Sequence, residues 1–234
     1  MEAIKETPQL VEGLTYKGRK TSRAGSEQRR RAILEAALRI VVRDGVRGVR
    51  HRAVAKEADV PLSATTYYFK DISDLITDTF TLFVEMGAEK FRSYWEDSHR
   101  TLQNTMAHIS DSAESGQHLI NAMTDLAVAY VLNQLRQHRD YLMAEQAFKL
   151  ECLRNENLRP IAFKHQQYLL NDLVAFFKQA GSDNAEMDAR LMFTAIMTVE
   201  YEGLLQNPDH LDETVIRGYL HRQIELMLNH VVLR

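Results

Sequence analysis

The chain has 234 residues, 45% hydrophobic and 26% charged, with a formal net charge of −3. These are ordinary values for a globular chain long enough for one small domain and one larger one. One cysteine, Cys152, excludes an intramolecular disulfide and fits a reducing compartment, and its surroundings in sequence read as a small buried hydrophobe rather than a redox sensor. No apolar run approaches membrane-spanning length, and the first 31 residues lack the apolar core of a signal peptide, so a cytoplasmic chain without a membrane partner is expected. Charge is unevenly placed. Residues 1–70 hold 15 Lys and Arg against 8 Asp and Glu, a net of +7, whereas residues 71–234 carry a net of −10. A basic first third on an acidic remainder is the footprint expected for contact with a polyanion.

Four prolines and ten glycines leave few helix breakers, and no stretch alternates apolar and polar residues with period two, so the expected fold is all-α. The first 26 residues read as a flexible basic arm, with Lys17, Arg19, Lys20 and Arg23 clustered among glycines. Helices are expected near 27–44, 52–58 and 61–68, then 73–97 and 99–112, a break at Ser115-Gly116, and further helices near 117–137, 140–157, 160–180, 185–206 and 211–232. The second and third of these form a helix-turn-helix. Val54, Ala55 and Ala58 recur at helical spacing, Asp59 tolerates the left-handed turn, and Pro61 suits the first turn of the next helix. On that next helix Thr65 and Phe69 share one face, and Leu62, Ser63, Thr66 and Tyr67 the other. An outward face of small, hydroxyl and aromatic groups, with no acid between Pro61 and Phe69, suits base edges and phosphates. The expected DNA contacts are Arg23, Arg50, His51, Arg52, Pro61, Leu62, Ser63, Thr65, Thr66, Tyr67, Tyr68 and Lys70.

Residues 29–76 resemble the DNA-binding domain of TetR-family transcriptional regulators. The resemblance is carried by Arg31-Ala-Ile-Leu-Glu-Ala-Ala-Leu closing at Asp44-Gly45, by Ala53-Val-Ala-Lys-Glu-Ala-Asp-Val, and by Tyr67-Tyr-Phe-Lys-Asp-Ile-Ser-Asp-Leu-Ile, in that order and spacing. Thr66, Ser63 and Ile72 depart from the family's common Tyr, Gly and Lys at those positions, and Tyr67, Tyr68 and Lys70 could compensate. The resemblance implies a three-helix DNA-binding domain over 27–72 and a helical ligand-binding and dimerisation domain over 73–234. It further implies a homodimer on a near-palindromic double-stranded operator, acting as a repressor at the nucleoid and released by a small effector. The Arg50-His-Arg and Val60-Pro-Leu-Ser stretches are similar to members tied to fatty-acid metabolism, which suggests an apolar or amphipathic effector.

Beyond the reading head, aromatic and Met residues are spread over the middle helices, and such side chains adapt well to apolar ligands. Met86, Phe91, Trp95, Met123, Tyr130, Glu145, Phe148 and Tyr168 are the expected effector contacts. Glu145 shares a helical face with Tyr141, Phe148 and Cys152, and reads either as a polar anchor or, preferred, as the edge of a solvated face. The last two expected helices are apolar on more than one face and so need two partners. Their own domain is one, and the same pair in a second subunit is the simplest other. Phe193, Ile196, Met197, Leu204, Ile216, Leu220, Ile224 and Met227 are the expected interface. An enzyme reading finds little support. Only one Glu-x-x-His, Glu96–His99, is present where a di-iron bundle needs two, and no zinc, nucleophile-elbow or phosphate-loop motif occurs. No cofactor is implied, and a helical protein–protein adaptor would not need the basic arm.

Overall fold

The computed structural model describes residues 14–19, 24–107 and 113–232, and every described element is helical. Among the described residues nine α-helices follow one another: α1 (Ala24–Asp44), α2 (His51–Glu57), α3 (Leu62–Tyr68), α4 (Ile72–Ala107), α5 (Ala113–Gln137), α6 (Arg139–Cys152), α7 (Arg159–Gln179), α8 (Ala185–Leu204) and α9 (Glu213–Val232). None is long and apolar enough to cross a membrane. By its contacts the chain forms two compact units, one built from the segment up to Lys90 with Met143–Gln166, the other from Phe91–Leu142 with Gln167 onward.

In the first unit α1 buries Ile33, Leu34, Ala37, Ile40 and Val41, a stripe at helical spacing, and packs on α2, which packs on α3. Asp44 ends α1, and Gly45, at φ 73°, makes the left-handed exit. Asp59 takes φ 51° between α2 and α3, as its residue type allows. Pro61 is the residue before α3 rather than part of its first turn, with an extended ψ of 145°. The α4 portion of this unit adds Phe80, which stacks on Phe148 at a centroid separation of 4.5 Å, and Phe83, which meets the same ring tilted at 5.4 Å.

In the second unit α5 runs along α9 and α8, and α8 packs on α9. Leu119, Ile120, Met123, Val131 and Leu135 of α5 meet Leu220, Ile224 and Leu228 of α9 in one apolar core. Gly203 sits where a Cβ would strike the Leu135 side chain, so a hydrogen is all that close packing of α8 on α5 admits there. The Arg139 guanidinium donates to the carbonyls of Gly203, Leu204 and Gln206, closing the C-terminal end of α8.

Several expected boundaries are corrected. The two helices placed at 73–97 and 99–112 are one continuous helix to Ala107, because Ser98 is buried and nothing from 97 to 99 disrupts backbone pairing. Ser115-Gly116 is no break. Both residues lie near the start of α5, where a glycine costs the helix little. Helix α6 stops at Cys152 rather than 157, and the Asn155 side chain accepts from Asn157 N–H to start a separate short turn, Glu156–Leu158.

Candidate DNA-reading face and effector-domain residues

Helix α3 is seven residues long and two-faced. Thr65 is fully buried, and its hydroxyl donates to the Leu62 carbonyl at 2.8 Å. Tyr68 is buried as well, with its hydroxyl 2.8 Å from that of Ser26 on α1, and Phe69 closes the core beneath. Thr65 and Tyr68 therefore hold α3 in place, a correction to their expected role as side-chain contacts to DNA. Pro61, Leu62, Ser63, Thr66, Tyr67 and Lys70 are exposed, with Tyr67 at 49%. Arg50 precedes α2 and, like Arg52 on its first turn, is exposed, while His51 is half-buried and its Nδ1 finds no hydrogen-bond partner among the described residues. Arg23 lies outside the described residues.

Sequence reasoning missed the strap that braces this head. Residues Tyr16–Arg19 cross from α4 to α3. The backbone N–H groups of Lys17 and Gly18 donate to the two oxygens of Asp78 at 2.6 and 2.9 Å, and Arg19 N–H donates to the Tyr68 carbonyl at 2.8 Å. Asp78 is fully buried and also lies 3.6 Å from the Arg30 guanidinium. Burial pushes its pKa up, while the two N–H bonds and Arg30 pull against that shift. Tyr16 donates to Glu85 and lies under Arg30, 4.2 Å from guanidinium carbon to ring centroid. The expectation of a flexible arm is corrected for these residues. The legible signal was Asp78 itself, a lone acid on the helical stripe Leu75, Asp78, Leu82.

The effector residues expected from sequence fall into two sets. In the first unit Phe148 is buried in its aromatic stack, and Met86 is 38% exposed. Glu145 is 5% exposed, so the preferred solvated-face reading is corrected. It pairs with Lys149 at 3.4 Å and stands 3.9 Å from the buried His165, whose ring nitrogens have no hydrogen-bond partner among the described residues. Burial lowers the His165 pKa against the opposing pull of Glu145. Cys152 is buried, its thiol pKa raised by that burial.

In the second unit Phe91 and Tyr130 belong to an aromatic network with Tyr94 and Tyr141, in which the Tyr94 hydroxyl donates to the Leu126 carbonyl. Trp95 lies against Tyr94, His99 and Phe176 at 5.7–6.4 Å. Trp95, Tyr130 and Tyr168 are half-buried, and Met123 is buried. Near Tyr168, the Asp172 carboxyl is raised from 3.8 to about 6 by burial, partly offset by His99.

Ile216, Leu220, Ile224 and Met227 are buried inside the subunit, as is Ile196, and Phe193, Met197 and Leu204 are half-buried. The expectation that the buried five form an intersubunit face is corrected, because they are core. The second apolar face of these helices is a different one. Met187, Leu191 and Tyr201 line the exposed side of α8 at helical spacing, continued by Leu205 at its C-terminal cap, and Val215, Tyr219 and Leu226 line that of α9.

The first unit thus carries a helix-turn-helix with an acid-free outward face and the second an aromatic network, the parts expected of a DNA-binding regulator with a sensing domain. Residues 117–226 match the family model described as tetracyclin repressor-like, C-terminal domain. A solved TetR-family member from Streptomyces coelicolor A3 is 27% identical, with 84% of this chain and 98% of that one covered at a TM-score of 0.59. The multidrug binding protein EbrR, solved with ethidium, is 28% identical over 84% of this chain and 98% of its own at 0.58, and its malachite green complex is 26% identical over the same shares at 0.56. No curated protein sequence matches the chain significantly. The family match and these solved relatives support a TetR-family transcriptional regulator.

Proposed function

We propose that the protein is a homodimeric repressor that holds a near-palindromic operator through the outward face of α3 and releases it on binding a small, largely apolar or amphipathic effector. The observation that carries this reading is the division of α3. Thr65, Tyr68 and Phe69 are spent on the core, which leaves Leu62, Ser63, Thr66 and Tyr67 as an ordered, acid-free surface with Lys70 beside it. Arg50 and Arg52 add exposed cations at the start of α2, and phosphate neutralisation by such groups supplies affinity without sequence preference. The domain plan follows: reading head over 27–72, effector and dimer domain over 73–234.

The two-fold contact is assigned to the exposed apolar stripes of α8 and α9. Seven large apolar side chains on two adjacent helices exceed what scattered surface residues explain, and a second copy of the same pair buries them symmetrically. The effector is assigned to the half-buried aromatics Trp95, Tyr130 and Tyr168. Support comes from EbrR, solved in complex with ethidium and with malachite green, both aromatic cations that pair an extended apolar ring system with one positive charge.

Trp95 is the chain's single tryptophan, so its fluorescence reports on this region directly. Titration with malachite green or with palmitate is expected to give saturable quenching at micromolar ligand and to weaken binding to a DNA duplex selected by the protein. Neither quenching nor release with either compound would overturn the effector assignment.

A further inference from the structure

We propose that Arg19 is a DNA phosphate contact set in place before binding, and that Gly18 and Asp78 are the residues that position it. The proposal rests on the DNA-binding reading above and adds a site outside the helix-turn-helix.

The geometry begins at Asp78. A carboxylate fully removed from water needs partners, and two of them are the consecutive N–H groups of Lys17 and Gly18. That pair of bonds fixes two peptide units of the strap on α4. Gly18 is required at the crossing, because a Cβ there would lie 2.6 and 2.8 Å from ring carbons of Phe69, which is itself fully buried and has little room to yield. The next peptide is fixed too, since Arg19 N–H donates to the Tyr68 carbonyl in the last turn of α3. Three successive backbone anchors leave Arg19 only its side chain to move. That side chain is exposed, and its guanidinium carbon stands 4.4 Å from the centroid of the Tyr67 ring, on the outward face of α3.

A guanidinium stacked on an aromatic ring keeps its edge donors free for a phosphate while its plane is held. No acidic side chain pairs with Arg19 among the described contacts, whereas Arg30, Arg31, Arg39 and Arg43 are all in ion pairs. A cation held beside the reading face, with no carboxylate partner among the described residues, is poised for an external anion. Because Arg19 is ordered by its backbone anchors, less side-chain freedom is lost on contact than for an arginine on a free arm.

The test uses full-length protein, a 30-bp duplex that the wild type selects from a random library, and a scrambled 30-bp duplex, with affinity followed against salt. Arg19→Ala is expected to weaken binding to both duplexes by a similar factor, about tenfold. It should lower the slope of log affinity against log salt by about one per half-site, with thermal stability unchanged. Arg19→Lys should restore the slope, and Gly18→Val, which displaces the strap, should lose it while Arg19 is still present. A selected duplex that Arg19→Ala holds with wild-type affinity and salt slope would overturn this inference alone. Failure of the wild type to select any duplex would overturn the DNA-binding reading and this inference with it.

Discussion

Helix α3 and the pair α8–α9 solve opposite problems with the same periodicity. In α3 the inward positions, Thr65 and Tyr68, are polar or half-polar and satisfy their hydroxyls on Leu62 and Ser26, while the outward positions stay free of acids. In α8–α9 both inward and outward positions are apolar, with Leu220 and Ile224 inside and Leu191, Tyr219 and Leu226 outside. A polar outward face faces a charged partner, and an apolar one faces another apolar surface. The contrast shows which kind of face a sequence discloses. Where the two sides of a helix differ chemically, the outward one can be identified; where they are alike, only the existence of two faces can.

The largest effect that would break this contrast is at the core of α9. Leu220→Asp places a charge at a fully buried position and should cost more than about 4 kcal/mol, seen as loss of cooperative thermal unfolding. A folded Leu220→Asp protein would show that the inward face has been misassigned. Next comes the outward face of α3. Tyr67→Ala should weaken operator binding by about 1–3 kcal/mol in each half-site, measured by fluorescence anisotropy, with helicity and oligomeric state unchanged. Of similar size, and complementary to Leu220, is the outward face of α9. Leu226→Asp, at a site 56% exposed, should leave the subunit folded yet shift light scattering from dimer to monomer, removing about 1.5–3 kcal/mol of apolar burial from each side.

A last effect contrasts the two units by pH. His165 in the first unit is held below its ordinary pKa, so the stability it contributes is present above about pH 6.5 and is lost as the pH falls through its folded value. Asp172 in the second is raised to about 6, so its contribution is complete below 3.8 and is lost as the pH rises through about 6. Asp172→Asn should therefore raise stability at pH 7 by about 1–3 kcal/mol and by much less at pH 4, in chemical denaturation at both pH values. Equal gains at the two pH values would show that the carboxyl titrates as it does in water.

Much of the fold was legible because the strongest signals were local. The stripe Ile33, Ala37, Ile40 gives α1, and Asp59 before Val60-Pro61 gives the turn, found at φ 51°. The acid-free run after Pro61 gives the reading face. What was not legible depends on contacts distant in sequence. Thr65 and Tyr68 look as suited to DNA as Thr66 and Tyr67, and only the packing of α3 on its neighbours separates them. Ile216, Leu220 and Ile224 read as interface residues because period alone cannot rank two apolar stripes on one helix. Glu145 appeared to edge a solvated face, since its neighbour His165 lies twenty residues on. The strap was hidden for the same reason, as Lys17 and Gly18 meet a carboxylate some sixty residues later.

The central claim is that two copies of the α3 face read DNA together. Its most direct test is selection of wild-type protein on a random duplex library followed by sequencing of the bound pool. Enrichment of an inverted repeat, with half-sites centred about one helical turn or a multiple of it apart, and loss of that enrichment with Tyr67→Ala, is the predicted result. An enriched site without inverted symmetry, or one that Tyr67→Ala still selects, would contradict it.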